Sequence, residues 1–456
     1  MLHWISSYLL DRQQKVVLDG HSSSFRSTSA GVPQGSVLGP FLFLLYINDI
    51  VDNLNSNVRL FADDTCLFVI VNNDPGNASS ILSDDLSTIN SWSMQWAVDF
   101  NPSKTESIVF TRRHLSHPHI FFGTEQVASF SSHCHLGLTL QSDATWSKHI
   151  SNIYKKACSR ITLLRMLKYQ LDRNSLLTIY KSFIRPILEY GDVIWDNCTQ
   201  QDADLLESVQ VECARIITGL RRNCSRTVLY FELGLESLEA RRRQHKLITF
   251  YKAINGYAPA YLQHIIHPYF PADTGYNLRH SGQFFQLPLC RTSSYFNSFL
   301  PSTIKLWNEL PITIKSATSI ASFKSKLKSY FYTSEINPSF NYGSRVENIH
   351  HCQLRNFSSN LKRHLFDHFI ENDPSCPKCG SPSEDNQHFL FDCVAFSQHR
   401  QKLFDAIYSI TGLPSIDLQI LLHGSPEYSY GKNTLLFQAV HAFIKDSQRF
   451  KSSNSN

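Results

Sequence analysis

Residues 57–71 read NVRLFADDTCLFVIV, an apolar and β-branched run interrupted in its middle by two adjacent carboxylates, Asp63 and Asp64. Burying unpaired carboxylates costs several kcal/mol each, so such a pair marks either a solvated turn or a site for a cation. The runs on either side predict two strands folded back on each other, with the Asp pair at the tip. Adjacent residues of a regular strand point to opposite faces, so the two side chains converge on one ion only at a turn of this kind.

Working outward from the acidic turn, LHWISSYLLDR predicts a short helix, and QKVVLDG predicts a strand pairing with one near SFRSTSA, turning close to Asp19 and Gly20. GVPQGSVLGP breaks any regular element, and FLFLLYINDIVDNL after it suits a buried helix. Downstream, NNDPGNASS reads as a loop and the apolar period predicts a helix from about Ser83 to Val98. SIVFTRR, HIFFGTEQV and HLGLTL are short strand candidates ending near Leu140.

Beyond residue 145 the character changes. Trp146 to Gln170, Arg173 to Trp195, Gln201 to Leu220 and Ser237 to Ile254 show helical spacing with basic faces. Residues 256 to 300, with Pro259, Pro268, Pro271 and Pro288, read as irregular; SIASFKSKLKSYFY returns to helix, and TSEINPSFNYGSRVENIHH reads as a connector.

The 456 residues, 42% hydrophobic and 18% charged, are enough for several packed cores and argue against disorder. Eleven cysteines, an odd number without a framework spacing, favour a reducing compartment such as cytosol or nucleus. The apolar runs LHWISSYLL and VLGPFLFLLYI fall short of the roughly 18 residues that span a bilayer, and no basic segment follows Met1, so neither a membrane span nor a signal peptide is expected. The net charge of +5 is uneven: residues 146 to 255 hold 18 Lys and Arg against 11 Asp and Glu, a net +7. That patch is a footprint for a polyanion or a solvated helix face.

The acidic turn gains meaning from GVPQGSVLGPFLFLLYIND, residues 31–49, which precedes FADD. The two stretches in this order resemble the palm motifs of reverse transcriptases, in particular those of non-LTR (LINE-type, jockey-like) retrotransposons. The resemblance implies an RNA-directed DNA polymerase whose Asp63 and Asp64 hold Mg²⁺ (or Mn²⁺) in two-metal phosphoryl transfer. It implies that Pro33, Gln34 and Gly35 lie against template and incoming nucleotide, where glycine permits close backbone approach and Gln34 offers both donor and acceptor. WAVDFNPSKTESIVF resembles the next family motif and places Lys104 near the nucleotide phosphates; HLGLTLQSDATWSKHI resembles the primer grip, here His135, Leu136 and Gly137.

The basic helices resemble the family's thumb, tracking an RNA–DNA hybrid through its phosphates, with EARRRQHK and LRRNCSR as the contact candidates. The implied partners are an RNA template, a DNA primer or target and dNTPs, with no membrane, and the implied location is nuclear or cytoplasmic.

CPKCGSPSEDNQHFLFDC carries a second constellation. Cys376, Cys379, His388 and Cys393 give C-x2-C-x8-H-x4-C, a Cys₃His set suited to a structural, tetrahedral Zn²⁺. Similar segments occur at the C-terminal ends of LINE-type polymerases. The nearby HHC, His350 to Cys352, lacks a partner pair and reads as incidental.

The fold expected is α+β: a partial polymerase palm over 1–143, an antiparallel β-hairpin with helices; a mainly helical thumb and connection over 144–345; a small zinc-knuckle-like C-terminal domain over 346–448; and a disordered tail over 449–456. The family's first catalytic Asp, on an Ala-Phe-Asp type strand before the Pro-Gln-Gly motif, has no counterpart; Asp11 and Asp19 sit at a helix end and a turn. The expectation is little or no synthesis by these 456 residues alone, and the rival reading is a non-catalytic nucleic-acid-binding protein derived from a degenerate retroelement.

Overall fold

The computed structural model describes residues 1–71, 74–111, 118–266, 284–331, 340 and 342–451. Pro268, Pro271, the Arg112–Arg113 end of one expected strand, the first part of the expected connector and residues 452–456 of the expected tail lie outside these described residues. The chain divides into two compact units, Met1–Thr145 and Trp146–Asn456.

The first unit opens with α1 (Leu2–Leu9). Strands β1 (Gln13–Gln14), β2 (Val17–Leu18), β3 (His21–Ser22) and β4 (Arg26–Ser27) form nested antiparallel pairs, β1 with β4 and β2 with β3. Asp19 and Gly20 turn the inner pair at φ +49° and +81°, the left-handed geometry a two-residue hairpin loop requires. Helix α2 (Leu38–Ile47) follows. The expectation that it is buried fails: only Gly39 and Ile47 are, while Phe41, Leu44, Leu45 and Tyr46 face solvent. A helix apolar all round is buried only where neighbours cover every side, and most of the side chains of α2 have none over them.

Strands β5 (Asn57–Phe61) and β6 (Asp64–Phe68) form the expected hairpin, Asn57 opposite Phe68 and Phe61 opposite Asp64. Helix α3 (Pro75–Trp96) starts two turns before the expected Ser83, because the Asp74 side chain accepts from the Asn77 N–H at 3.1 Å and Pro75 stands at the first helical position. Then come β7 (Glu106–Ser107), β8 (Phe121–Phe122), β9 (Glu125–Gln126), β10 (Ala128–Ser129), β11 (Ser132–His135) and β12 (Leu138–Gln141). Strands β8 and β9 pair antiparallel, as do β11 and β12, while β7 and β10 pair parallel. Ile50, Leu86, Ile89, Ile120, Phe122 and Val127 form the core of this unit, with Leu60, Leu67 and Trp92 packed against it.

The second unit begins with α4 (Ser147–Leu167) and α5 (Arg173–Ile179), the latter capped by the Asp172 carboxylate on the Ser175 N–H. The single helix expected to run on to Trp195 is broken into a π turn (Tyr180–Ile184), α6 (Arg185–Glu189) and α7 (Asp192–Trp195). Pro186 has no N–H to donate one turn back, and Gly191 takes φ +64°. Helices α8 (Gln200–Thr218), α9 (Arg226–Leu233) and α10 (Leu238–Ile254) each start at a Thr or Ser whose hydroxyl accepts a backbone N–H, and the first two end at left-handed Gly219 and Gly234.

Residues expected to be irregular supply α11 (Ala260–Ile266) and α12 (Ser293–Phe296); α13 (Phe299–Glu309), α14 (Ile312–Lys315) and α15 (Ile320–Phe331) follow. Phe250, Tyr251, Trp307 and Phe323 hold this part together, Tyr251 stacked on Phe323 at 4.2 Å. The unit closes with α16 (Arg345–Arg355), which begins within the expected connector and runs past its end, then α17 (Lys362–Asp367), α18 (Ser397–Thr411), α19 (Leu418–His423) and α20 (Tyr430–Ser447). Among the described residues no helix is long and apolar enough to cross a membrane.

One buried ionic knot joins α5, α9 and α16. Glu232, 1% exposed, accepts from Arg355 Nε at 2.9 Å, Arg355 Nη2 at 3.0 Å, Arg173 Nη2 at 3.0 Å and Asn356 Nδ2 at 2.7 Å. The second positive charge is met by carbonyls: Arg355 Nη1 donates to Leu422 O at 3.1 Å and Arg173 Nη1 to the Asn348 side chain at 3.3 Å. Residues on both sides of the expected 346 boundary therefore share one interior.

Candidate functional site

The acidic turn is set by its base. Asp85 on α3, 1% exposed, accepts from the backbone N–H of Asn55 at 2.9 Å and of Ser56 at 2.7 Å, tying the entrance of β5 to the helix. Burial alone would raise the Asp85 pKa; the Asn55 and Ser56 hydrogen bonds outweigh it and hold the carboxyl below its usual range. Val58, Leu60, Thr65 and Leu67 alternate onto one face of the ladder, and Leu60 and Leu67 pack on the core. Asp64, directly opposite Phe61, therefore stands on the outer face. Ala62, at φ +52°, and Asp63 make the two-residue tip, and both carboxylates are exposed.

Gln34 and Gly35 form a turn ahead of α2, with Gly35 at φ +78° and open space where a Cβ would stand. The crowded glycine is Gly39: a Cβ there would lie 2.8 Å from both Pro33 O and Ser36 Oγ. The Ser36 hydroxyl donates to Pro33 O at 2.7 Å and accepts from the Gly39 N–H at 3.0 Å, so the Pro-Gln-Gly turn is pinned to the helix start. Lys104 ends a 3₁₀ turn (Pro102–Lys104) just before β7 and is exposed. His135 closes β11, and Leu136 and Gly137, at φ +47° and +81°, form the two-residue tip to β12.

The four zinc candidates come together. One donor atom from each of Cys376, Cys379, His388 and Cys393 lies within 4.8 Å of the others, with Cys376 Sγ 3.9 Å from Cys393 Sγ and Cys379 Sγ 3.3 Å from His388 Nε2. A tetrahedron built on Zn–S of about 2.3 Å and Zn–N of about 2.0 Å has edges of roughly 3.5–3.8 Å, so this cage has the size and the soft donors that zinc takes. The knuckle is closed by Gly380 N–H to Cys376 O at 2.9 Å, with Gly380 at φ +75°. His388 opens a π turn (His388–Asp392), held by its N–H on Asp385 Oδ1 at 2.8 Å. The Ser381 N–H draws the Cys379 thiol below its ordinary pKa, while burial pushes Cys393 up to about 11. Among the described residues, three or more His, Cys, Asp or Glu donors converge in this way only here, and no third carboxylate joins Asp63 and Asp64.

The basic run EARRRQHK does not present free cations. Arg241 pairs with Glu189 and Glu236, Arg242 with Asp196 at 2.7 Å, Arg243 with Glu239 at 2.5 Å, His245 with Asp192 at 2.6 Å and Lys246 with Asp196 at 2.6 Å. Apart from Glu236 and the surface Arg243–Glu239 pair, these charges hold α10 to α6 and α7, and the sequence alone hides this because Glu189, Asp192 and Asp196 lie some fifty residues upstream. In LRRNCSR, Arg221 reaches the Asn360 side chain, whereas Arg222 and Arg226 are exposed. His351 of the HHC stretch is buried, with Nδ1 3.2 Å from His441 Nε2 and Nε2 donating to Leu421 O at 3.0 Å; Cys352 is buried beside Glu232, so both serve packing. Sequence reading missed Asp85 and Gly39; the second of two adjacent acids, Asp84 and Asp85, in an amphipathic helix and a glycine at a helix start were the traces of them.

Residues 1–139 match the family model described as reverse transcriptase (RNA-dependent DNA polymerase). Over about half its length the chain is homologous to polymerases of Drosophila melanogaster mobile elements. It is 28% identical over 242 residues to the probable RNA-directed DNA polymerase from transposon X-element, covering 51% of this chain and 26% of that protein. It is 29% identical over 226 residues to the RNA-directed DNA polymerase from mobile element jockey, covering 47% and 25%. With the probable RNA-directed DNA polymerase from transposon BS it shares 29% identity over 257 residues, covering 53% and 28%. The matched part thus spans about a quarter of the length of these relatives.

Proposed function

We propose that this chain, carrying a reverse transcriptase domain over residues 1–139, is part of an RNA-directed DNA polymerase of a non-LTR retrotransposon. Its reaction is attack of a primer 3′ hydroxyl on the α-phosphate of a dNTP opposite an RNA template, with release of pyrophosphate. The observation that carries the reading is the solvent-facing Asp63–Asp64 tip within the homologous stretch. Mg²⁺ (or Mn²⁺), when bound, supplies charge neutralisation at the attacking and leaving oxygens. Asp63 and Asp64 are the residues to hold it, and the Asp85 clamp and the inner face of the hairpin fix their height above α3.

Pro33, Gln34 and Gly35 are assigned to the template and incoming nucleotide, Lys104 to the nucleotide phosphates, and the His135–Leu136–Gly137 tip to the primer end. Residues 1–143 are read as palm, 144–345 as thumb and connection, and 346–448 as the zinc-bearing region, where Cys376, Cys379, His388 and Cys393 hold a structural Zn²⁺. Four protein donors leave that ion no open position, so its contribution is to folding.

Primer extension on a primed RNA template with Mg²⁺ tests the reading, comparing the chain with its Asp63→Asn, Asp64→Asn double variant. Two carboxylates without a third hold divalent ions weakly, so the expected signal from these residues alone is low, and what there is must vanish in the double variant. Synthesis that survives the double variant overturns the assignment of Asp63 and Asp64. Absence of synthesis by either protein, with salt-sensitive RNA binding retained, means part of a polymerase that by itself acts at most as a binding module.

A further inference from the structure

The tail expected to be disordered from residue 449 begins with packed residues. Helix α20 ends at Gln448, whose φ of +51° turns the chain back. The Phe450 ring then stacks 4.8 Å from that of His350 and lies 5.3 Å from that of Phe389, the residue after the donor His388. Phe389 is fully buried, so Phe450 closes over the same interior that holds the Cys₃His cage.

Arg449 reaches that cage through Glu384, 65 residues away in sequence. Its Nε donates to Glu384 Oε1 at 2.6 Å and its Nη2 to Glu384 Oε2 at 2.5 Å, a forked pair whose side chains are 12% and 1% exposed. Arg449 Nη2 also donates to Asn360 O at 3.1 Å, and Glu384 Oε2 accepts from the Lys362 N–H at 2.9 Å. The Glu384 N–H donates to Pro374 O at 2.9 Å, which closes the loop carrying Cys376 and Cys379. The same carboxylate touches the cage itself: Cys376 Sγ stands 3.8 Å from Glu384 Oε1.

That last contact changes sign with the state of the sulfur. A thiol is a weak donor to the carboxylate, whereas the thiolate that zinc requires meets a second anion there. Buried like charges at this separation repel strongly unless a cation is paired with one of them. Arg449 is that cation, and its planar fork also fixes where the carboxylate can lie.

We propose that Arg449 is a positioning residue for the metal: paired with Glu384, it cancels the carboxylate that lies against Cys376 and holds the Cys376–Cys379 loop in ligating shape. Zinc binding and the seating of Arg449 and Phe450 then depend on each other, because a coupling between two events acts equally in both directions. The inference rests on the reading of Cys376, Cys379, His388 and Cys393 as zinc donors.

The test is the zinc dissociation constant of the full chain, measured by competition with a zinc-sensitive dye. Arg449→Gln should raise it about 10–100-fold, the usual cost of losing a partner just outside the ligands. Arg449→Lys keeps the charge and should lose less. Glu384→Gln added to Arg449→Gln should recover most of the loss, since no carboxylate is left against the sulfur; a packing role alone predicts a double variant that binds no better than the single one. Arg363→Gln, at a surface pair with Asp367, should change nothing. The parent chain supplies a second measurement that needs no variant: chelation of zinc should speed hydrogen exchange at the Arg449 and Lys451 amides. Equal constants for parent and Arg449→Gln overturn the proposal, as does a double variant no tighter than the single one, or exchange at 449 and 451 that ignores chelation. A parent chain without stoichiometric zinc overturns the Cys₃His reading and the proposal together, and is told apart from those results by elemental analysis before any variant is made.

Discussion

Replacing Glu232 by Gln removes one negative charge from the knot that joins α5, α9 and α16 while keeping its size. The Arg173 and Arg355 side chains are 2% and 1% exposed, so neither guanidinium can recover water, and each keeps only neutral acceptors. Breaking a buried ion pair by removing one partner costs about 3–5 kcal/mol. Two cations are stranded here, which places Glu232→Gln at the upper end, about 4–5 kcal/mol. With a urea m-value of about 2.5 kcal/mol/M the midpoint of the second unit should fall by roughly 1.5–2 M. Replacing all three partners by apolar side chains of similar volume should cost less than the single change, because no charge is left behind.

The linkage has a definite sign. Burial pushes the Glu232 carboxyl up, but Arg355 and Arg173 outweigh it and hold the pKa far below the usual value. Its stabilisation is therefore present above about pH 4.3, the unfolded value, and is lost as pH falls through the lower folded value. Urea denaturation followed by tryptophan fluorescence measures both effects. A loss below about 1 kcal/mol for Glu232→Gln, or a triple apolar variant as unstable as the single one, would refute the reasoning.

Two further outcomes are expected. Cys393→Ser, at a fully buried donor of the Cys₃His cage, should abolish stoichiometric zinc measured by elemental analysis and lower the melting temperature of the second unit, and chelation of the parent chain should reproduce the drop. Burial presses His441 and His364 down to about 4, so the unfolded chain binds protons there that the folded one refuses; stability should decline as pH falls from about 6.5 toward 4, and His441→Phe should flatten that decline in a melting-temperature series.

Local patterns were legible where short-range chemistry decides them. The β5–β6 hairpin, the Asp19–Gly20 turn, the approximate bounds of α4 and α8 and the clustering of Cys376, Cys379, His388 and Cys393 follow from alternation, left-handed turn residues and cysteine spacing. Where the reading erred, a local signal had been passed over, such as the Asp74–Pro75 start of α3, or a single residue had been underweighted, such as Pro186 inside an otherwise helical period. The α16 helix was hidden by its polar, histidine-rich composition, and its buried side chains take their meaning from α9, α19 and α20.

By itself the sequence determined the acidic turn, the Cys₃His set and the resemblance that links Asp63 and Asp64 to polymerase chemistry, because each is a pattern of neighbours along the chain. Only the tertiary structure decided which charges are available to a partner. A run of arginines has the same formal charge whether it faces water or acids fifty residues away, and an ion pair depends on distance in space, not in sequence. In this chain that distance sets Asp196 against Arg242 and Lys246 and Glu189 against Arg241, so most of the EARRRQHK charge is met inside the second unit.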